Sequence, residues 1–222
     1  MENFLDLGLK NKVAIVAGGG SYGEGIGNGR AASILLSEAG AKVIVVDINQ
    51  KSAEKTVEFI NEKGGESIAI SADLTIAKEC KSIIDFAIKK WGRLDILDNN
   101  IGIASDLSVV RESEKYWDKV MEVNLKPMFL MSKYSIPQML KNEKGGSIVN
   151  ISSISATRPK GYTAYSASKG AVISLSRAMA VDHGNTRIRV NCILPGPVHT
   201  PMVYSKGMSN DLRNIRKNAS LL

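Results

Sequence analysis

The sequence predicts an α/β fold, a doubly wound parallel sheet in a single domain. Short β-branched runs alternate with segments whose apolar residues recur at helical spacing. The β-branched runs are continuously apolar, as in strands covered on both faces. A glycine-rich stretch joins the first such run directly to the first helical segment, as in the turns of open α/β sheets.

The elements follow in order. "KVAIVA" (12–17) is a buried strand, and "RAASILLSEAG" (30–40) is a helix stopped by Gly40. "AKVIVVD" (41–47) is the second strand, and "SAEKTVEFINEKGG" (52–65) an amphipathic helix closed by glycines. "SIAISAD" (67–73), helix "AKECKSIIDFAIKKWG" (77–92) and strand "LDILDNN" (94–100) come next. Two helical segments are expected around "SEKYWDKVMEVN" and "MFLMSKYSIPQMLK". Strand "GSIVNIS" (146–152), helix 164–184 and strand "IRVNCIL" (188–194) complete six strands, and right-handed crossovers give the Rossmann-like winding. No repeat, linker or low-complexity tract divides the chain, so residues 1–222 form one domain.

Composition narrows the function. The 222 residues are 44% apolar and 23% charged, as in ordinary globular proteins. The net charge is +7, but Lys and Arg are scattered among Glu and Asp, which speaks for a solvated surface and against nucleic acid. Cys80 and Cys192 suggest no disulfide framework, and His183 and His199 cannot build a zinc site alone. The N-terminus lacks a signal-peptide layout, and no apolar run reaches the roughly 20 residues that span a bilayer. A soluble, reducing, cytoplasmic setting is expected.

"AGGGSYGEGIGNGRA" (17–31) carries seven glycines between strand and helix. There, glycines let backbone N–H groups and a helix N-terminus approach a dinucleotide pyrophosphate. A P-loop would need Gly-Lys-Ser/Thr where this chain has Gly29-Arg30-Ala31. Asp47 ends the second strand, where a carboxylate can accept from ribose hydroxyls and repel a 2′-phosphate, favouring NAD. "YSASK" sets Tyr165 and Lys169 four apart on one helix face, where an ammonium favours the phenolate. Bringing a phenol from about 10 to about 7 takes roughly 4 kcal/mol. Ser152 and Ser153 end the preceding strand at the same sheet edge.

These motifs, with "ADL" (72–74), "NNIG" (99–102), "VNL" (123–125), "NISS" (150–153) and "LPGPVHTPM" (194–202), resemble the short-chain dehydrogenase/reductase family over essentially the whole chain. The resemblance implies an NAD-dependent alcohol dehydrogenase or carbonyl reductase acting on a small-molecule CH–OH group or its carbonyl. Tyr165 is the implied general acid/base, and Lys169 its helper and a holder of the nicotinamide ribose. Ser153 holds the substrate oxygen, and Asn124 positions a water in the proton relay. The implied cofactor cradle comprises Gly18, Gly20, Ser21, Gly25, Ile26, Gly27, Asp47, Ile48, Asp73, Leu74, Asn100, Gly102, Tyr165, Lys169, Pro195, Gly196, Val198 and Thr200. A homo-oligomer, dimer or tetramer, and a substrate lid over about 195–222 are implied as well.

Four departures stand out. The glycine loop is lengthened, so Gly25-Ile26-Gly27 or Gly27-Asn28-Gly29 can be the Gly-x-Gly pair. Ile26 matches the family's usual middle residue and favours the former, while the "RA" helix start fits the latter. Ile101 replaces the usual Ala, and Asp98 interrupts an apolar strand and needs a partner. Counting back from Tyr165 could nominate Ser152, although "NISS" favours Ser153. The chain ends short of the family's usual length, so either it is a fragment or truncated form, or the seventh strand is absent. Two other functions fit the motifs: a silent NAD-binding regulator or scaffold, and an NADP-dependent 3-oxoacyl-type reductase, which Asp47 disfavours.

Overall fold

The computed structural model describes residues 7–159 and 161–201. Among them lie six parallel strands in one sheet: β1 (Val13–Ala17), β2 (Lys42–Asp47), β3 (Ser67–Ser71), β4 (Ile96–Asn99), β5 (Gly146–Ile151) and β6 (Ile188–Ile193). Their order is β3-β2-β1-β4-β5-β6. The direction of winding reverses between β1 and β4, and the carboxyl ends of the strands there open a crevice.

Helices connect successive strands: α1 (Asn28–Glu38), α2 (Gln50–Glu62), α3 (Ala77–Trp91), α4 (Glu114–Met139) and α5 (Thr163–His183). One core cluster sets Ile15, Leu97 and Ile148 of the sheet against Ile83 and Ile84 of α3 and Met131 and Met139 of α4. The opposite face sets Val16, Val43 and Val45 against Ile34 of α1 and Ile60 of α2. All five residues of β1 are buried, which is why its sequence does not alternate. Caps fix the helix starts: Asn49 accepts from the Ser52 N–H ahead of α2, and Ser113 from the Tyr116 N–H ahead of α4.

The segment expected as two helices is the single helix α4, continuous through Pro127 and Pro137. Each proline removes one backbone donor. The buried row Val120, Asn124, Met128, Met131, Ser135 and Met139 runs past both prolines, and its packing outweighs the lost bonds. Among the described residues β6 pairs with β5 alone and is an edge strand, with Arg189, Asn191 and Ile193 exposed. Among the described residues no helix is long and apolar enough to cross a membrane. The expected lid is described only to Pro201; the rest of it, and the place expected to lack a seventh strand, lie outside the described residues.

Candidate active site

A cleft of about 1340 Å³ runs along the carboxyl edge of the sheet. That exceeds a single drug-sized pocket and suits a dinucleotide with a substrate beside it.

The glycine loop forms its floor. Gly18 has φ +79, and a Cβ on it would press on the Asn100 backbone at 3.0 Å. A Cβ on Gly29 would collide with the Gly18 carbonyl oxygen, so loop and helix start touch backbone to backbone. The amides of the first half of the loop are already spent. Gly18 and Gly19 donate to the Val46 carbonyl at 2.8 and 2.9 Å. Gly20 donates to Asp47 Oδ2 at 3.1 Å and Ser21 to Ser52 Oγ at 2.7 Å. The free donors are those of the first turn of α1, which starts at Asn28 with Gly27 as its N-cap. Beside them the Ser21 hydroxyl is buried with no partner among the described residues.

Gly27, Asn28 and Gly29 line the cleft, and Gly25 and Ile26 do not. Ile26 is 53% exposed. Of the two candidate pairs, Gly27-Asn28-Gly29 lines the cleft with all three residues, and Gly25-Ile26-Gly27, which Ile26 favoured, with Gly27 alone. The extra loop residues shift the register, and the helix start rather than the middle residue marks it. Asn28 and Gly29 were absent from the expected cofactor set.

Asp47 and Ile48 lie at one end of the cleft with Asp73 and Leu74. Asp47 Oδ1 accepts from the Asn49 N–H at 3.0 Å. Asp73 Oδ1 accepts from both the N–H and the hydroxyl of Thr75, at 2.9 and 2.8 Å, which fixes the turn into α3. Asn100 and Gly102 line the middle, and Pro195, Gly196, Val198 and Thr200 the opposite wall.

The reactive groups sit between those walls. Ser152 is buried and donates to the Lys169 carbonyl at 2.7 Å, a structural bond. Ser153 Oγ accepts from the Ser155 N–H at 3.1 Å, and its influence on the Tyr165 phenol favours the phenolate. Burial of Tyr165 acts more strongly and pushes its pKa above the ordinary tyrosine value. The Lys169 ammonium stands 6.0 Å from the centre of the Tyr165 ring and donates elsewhere. Its bonds go to the carbonyls of Ile151 at 2.8 Å and Ile101 at 3.2 Å. Burial lowers the Lys169 pKa to about 8. Asn124 is fully engaged: its Oδ1 accepts from Ile103 N–H at 2.7 Å, and its Nδ2 donates to Ile103 O and Ser168 Oγ at 3.0 Å. It clamps the strand-end loop to α5, and Gly102 passes beside it, where an added Cβ would sit 3.1 Å from Lys169 Nζ and 3.4 Å from Asn124 Oδ1.

The partner Asp98 needs is Asn100, whose side-chain amide donates to it at 3.1 Å.

A glycine-floored crevice at the switch point of a parallel sheet, with a phenol and a hydroxyl at its rim, suits a nucleotide-binding enzyme of the Rossmann class. The short chain dehydrogenase family model matches residues 12–210, and the chain belongs to that family. It is thus an oxidoreductase of a family that works with a nicotinamide cofactor. An oxidoreductase of Thermotoga maritima is 40% identical over 218 residues, covering 96% of this chain and 83% of that protein. The 3-oxoacyl-acyl-carrier-protein reductase of the same organism is 35% identical over 195 residues, 87% of this chain and 77% of its own. A solved 7α-hydroxysteroid dehydrogenase, complexed with NADH and 7-oxo glycochenodeoxycholic acid, superposes with a TM-score of 0.85 at 34% identity. It covers 93% of this chain and 78% of its own.

Proposed function

We propose that the protein transfers a hydride between NAD(H) and a secondary alcohol or its ketone. The observation that carries this reading is that Ser153, Tyr165 and the buried Lys169 line the same cleft as Asp47 and the glycine loop. The cradle fits a dinucleotide: Gly18 and Gly29 leave no space for side chains, the first turn of α1 offers free N–H groups, and the Ser21 hydroxyl is unpaired.

Bound there, the cofactor supplies or takes the hydride. Tyr165, protonated at neutral pH, gives a proton to the carbonyl oxygen in reduction and receives one in oxidation. Ser153 steadies the same oxygen. Lys169, held by two carbonyls, places positive charge by the phenol ring and offsets negative charge developing there. Asp47 keeps lone pairs for ribose hydroxyls, and its charge opposes a 2′-phosphate. The NADH in the related hydroxysteroid dehydrogenase supports the same choice.

The test is a panel of secondary alcohols, hydroxy acids and hydroxysteroids with NAD, following NADH. Turnover by the unaltered protein should fall at least about a hundredfold in Tyr165→Phe. Equal turnover by the two proteins would overturn the reading. The Thermotoga reductase favours a second reading, an NADP-dependent 3-oxoacyl reductase. Asp47 opposes it, and an NADPH arm in the same panel decides.

The protein also works as a homo-oligomer in this reading. Its support is an apolar groove between α4 and α5, of about 400 Å³, lined by Met121, Leu125, Phe129, Ala171 and Leu175. A reducing, cytoplasmic location is supported by two free cysteines.

A further inference from the structure

Arg30 stands in the first turn of α1 and is 4% exposed. A cation there opposes the helix dipole, and burial lowers its pKa. Such a costly placement persists only where its contacts compensate. The contacts run to the lengthened loop and to α2. Nε donates to Thr56 Oγ1 at 3.0 Å, and one terminal nitrogen donates to the Gly25 carbonyl. The other faces the carbonyl and hydroxyl oxygens of Ser52 at 3.2 and 3.3 Å. The guanidinium also lies 5.8 Å from the centre of the Phe59 ring.

These bonds leave two hydroxyl protons to be given onward. Thr56 Oγ1 and Ser52 Oγ each accept from Arg30, so each has its own proton left to give. Thr56 Oγ1 has the Gly19 carbonyl at 2.9 Å, nearer than the Ser52 carbonyl at 3.2 Å, and Ser52 gives its proton to the Ser21 carbonyl at 3.0 Å. Arg30 therefore grips the second half of the loop directly at Gly25. It grips the first half at Gly19 and Ser21 through two relays. Between the gripped points hang Tyr22 and Gly23, which line the cleft. Gly25 in turn abuts Pro201 on the opposite wall, where an added Cβ would sit 3.3 Å from Pro201 Cγ.

We infer that Arg30, acting through Ser52 and Thr56, is a positioning residue that latches the lengthened loop. The latch sets how tightly the diphosphate end of the cofactor is held. Arg30 touches no reacting atom. Its fork spans Gly25, Ser52 and Thr56 at once, which a lysine's point charge cannot do. The inference rests on the dinucleotide reading of the cleft.

The test combines two measurements on the full chain. Hydrogen exchange without ligand reads the amides of Gly20 and Ser21, which the latch protects. Titration with ADP-ribose and with adenosine reads the diphosphate end separately from the nucleoside end. Arg30→Met and Arg30→Lys should both speed loop exchange and weaken ADP-ribose by about tenfold, with adenosine unchanged. Thr56→Val, which keeps shape and removes one relay, should act in the same direction more weakly and stands in should Arg30→Met not fold. Unchanged loop exchange and unchanged ADP-ribose affinity in folded variants overturn the latch, as does an equal loss for adenosine and ADP-ribose. Failure of the unaltered chain to bind NADH, NADPH or ADP-ribose overturns the dinucleotide reading and this inference with it.

Discussion

Asn100 Nδ2 donates to Asp98 Oδ2 at 3.1 Å, two residues back along the end of β4, while Asp98 Oδ1 is buried without a partner among the described residues. Val16 and Val149 flank Asp98 in register, so no cation stands beside it in the sheet. Burial raises its pKa to about 6 against one opposing hydrogen bond.

That gives a stability prediction with a definite sign. The folded pKa lies above the unfolded one, so between about 4 and about 6 the folded state holds more protons. Stability falls as pH rises through this window, and the cost is complete above it. Two units correspond to roughly 3 kcal/mol. Asp98→Val removes that cost and gives up the Asn100 bond, worth about 1 kcal/mol. Denaturant unfolding should show the variant more stable by on the order of 2 kcal/mol at pH 7.5, with little difference at pH 4. A variant less stable at pH 7.5 would contradict the account.

The two candidate glycine pairs are separable by substitution. Gly29→Ala drives a methyl group into the Gly18 carbonyl, backbone that cannot rotate away. NADH affinity should fall by more than about tenfold, with a lower melting temperature. Ile26 is half exposed and outside the cleft, so Ile26→Ala should leave the NADH dissociation constant within about twofold. The opposite ranking in a fluorescence titration would restore Gly25-Ile26-Gly27.

The fold was legible because parallel strands buried on both faces read as unbroken apolar runs, as in β1 and β2. The two segments expected for helix α4 meet at Pro127, whose effect is local, whereas the buried Met131 and Met139 that help hold the helix together pack through tertiary contacts. Tyr165, Lys169 and Ser153 could be placed on one edge from their positions at a strand end and a helix start. Their electrostatics could not be read, since burial and the carbonyls of Ile101 and Ile151 belong to distant parts of the chain. Arg30 looked like an ordinary helix-start basic residue. Its partners Ser52 and Thr56 lie on the next helix, and no spacing rule links them.

Tyr165 carries the sharpest spectroscopic expectation. Burial dominates over the opposing influence of Ser153, so the free phenol should not ionise near neutral pH. Ultraviolet difference titration of the unaltered protein against Tyr165→Phe should show no phenolate absorbance assignable to Tyr165 below the ordinary tyrosine range. A phenolate appearing near pH 7 in the cofactor-free protein would mean that Lys169 depresses it after all.

Asp47 decides between the two cofactors. Its Oδ2 already accepts the Gly20 amide and its Oδ1 the Asn49 amide, so the carboxylate is fixed in place with its charge toward the cleft. A 2′-phosphate carries about two negative charges near pH 7. Setting it beside a fixed carboxylate costs about 1 kcal/mol per unit of its charge in water at 4 Å and about 4 kcal/mol per unit near a protein surface. The unaltered protein should therefore prefer NADH over NADPH by at least about tenfold. Asp47→Ala removes the repulsion and also a partner of the Gly20 amide, so NADH binding should weaken while NADPH binding holds or improves. A preference that survives the substitution unchanged would place the discrimination elsewhere in the cleft. Arg30 supplies the control, because its guanidinium is close enough to feel the Asp47 charge yet is bound to Gly25, Ser52 and Thr56. If the latch holds it there, Arg30 stays unavailable to a 2′-phosphate, and Asp47→Ala yields a relaxed rather than an NADP-specific enzyme.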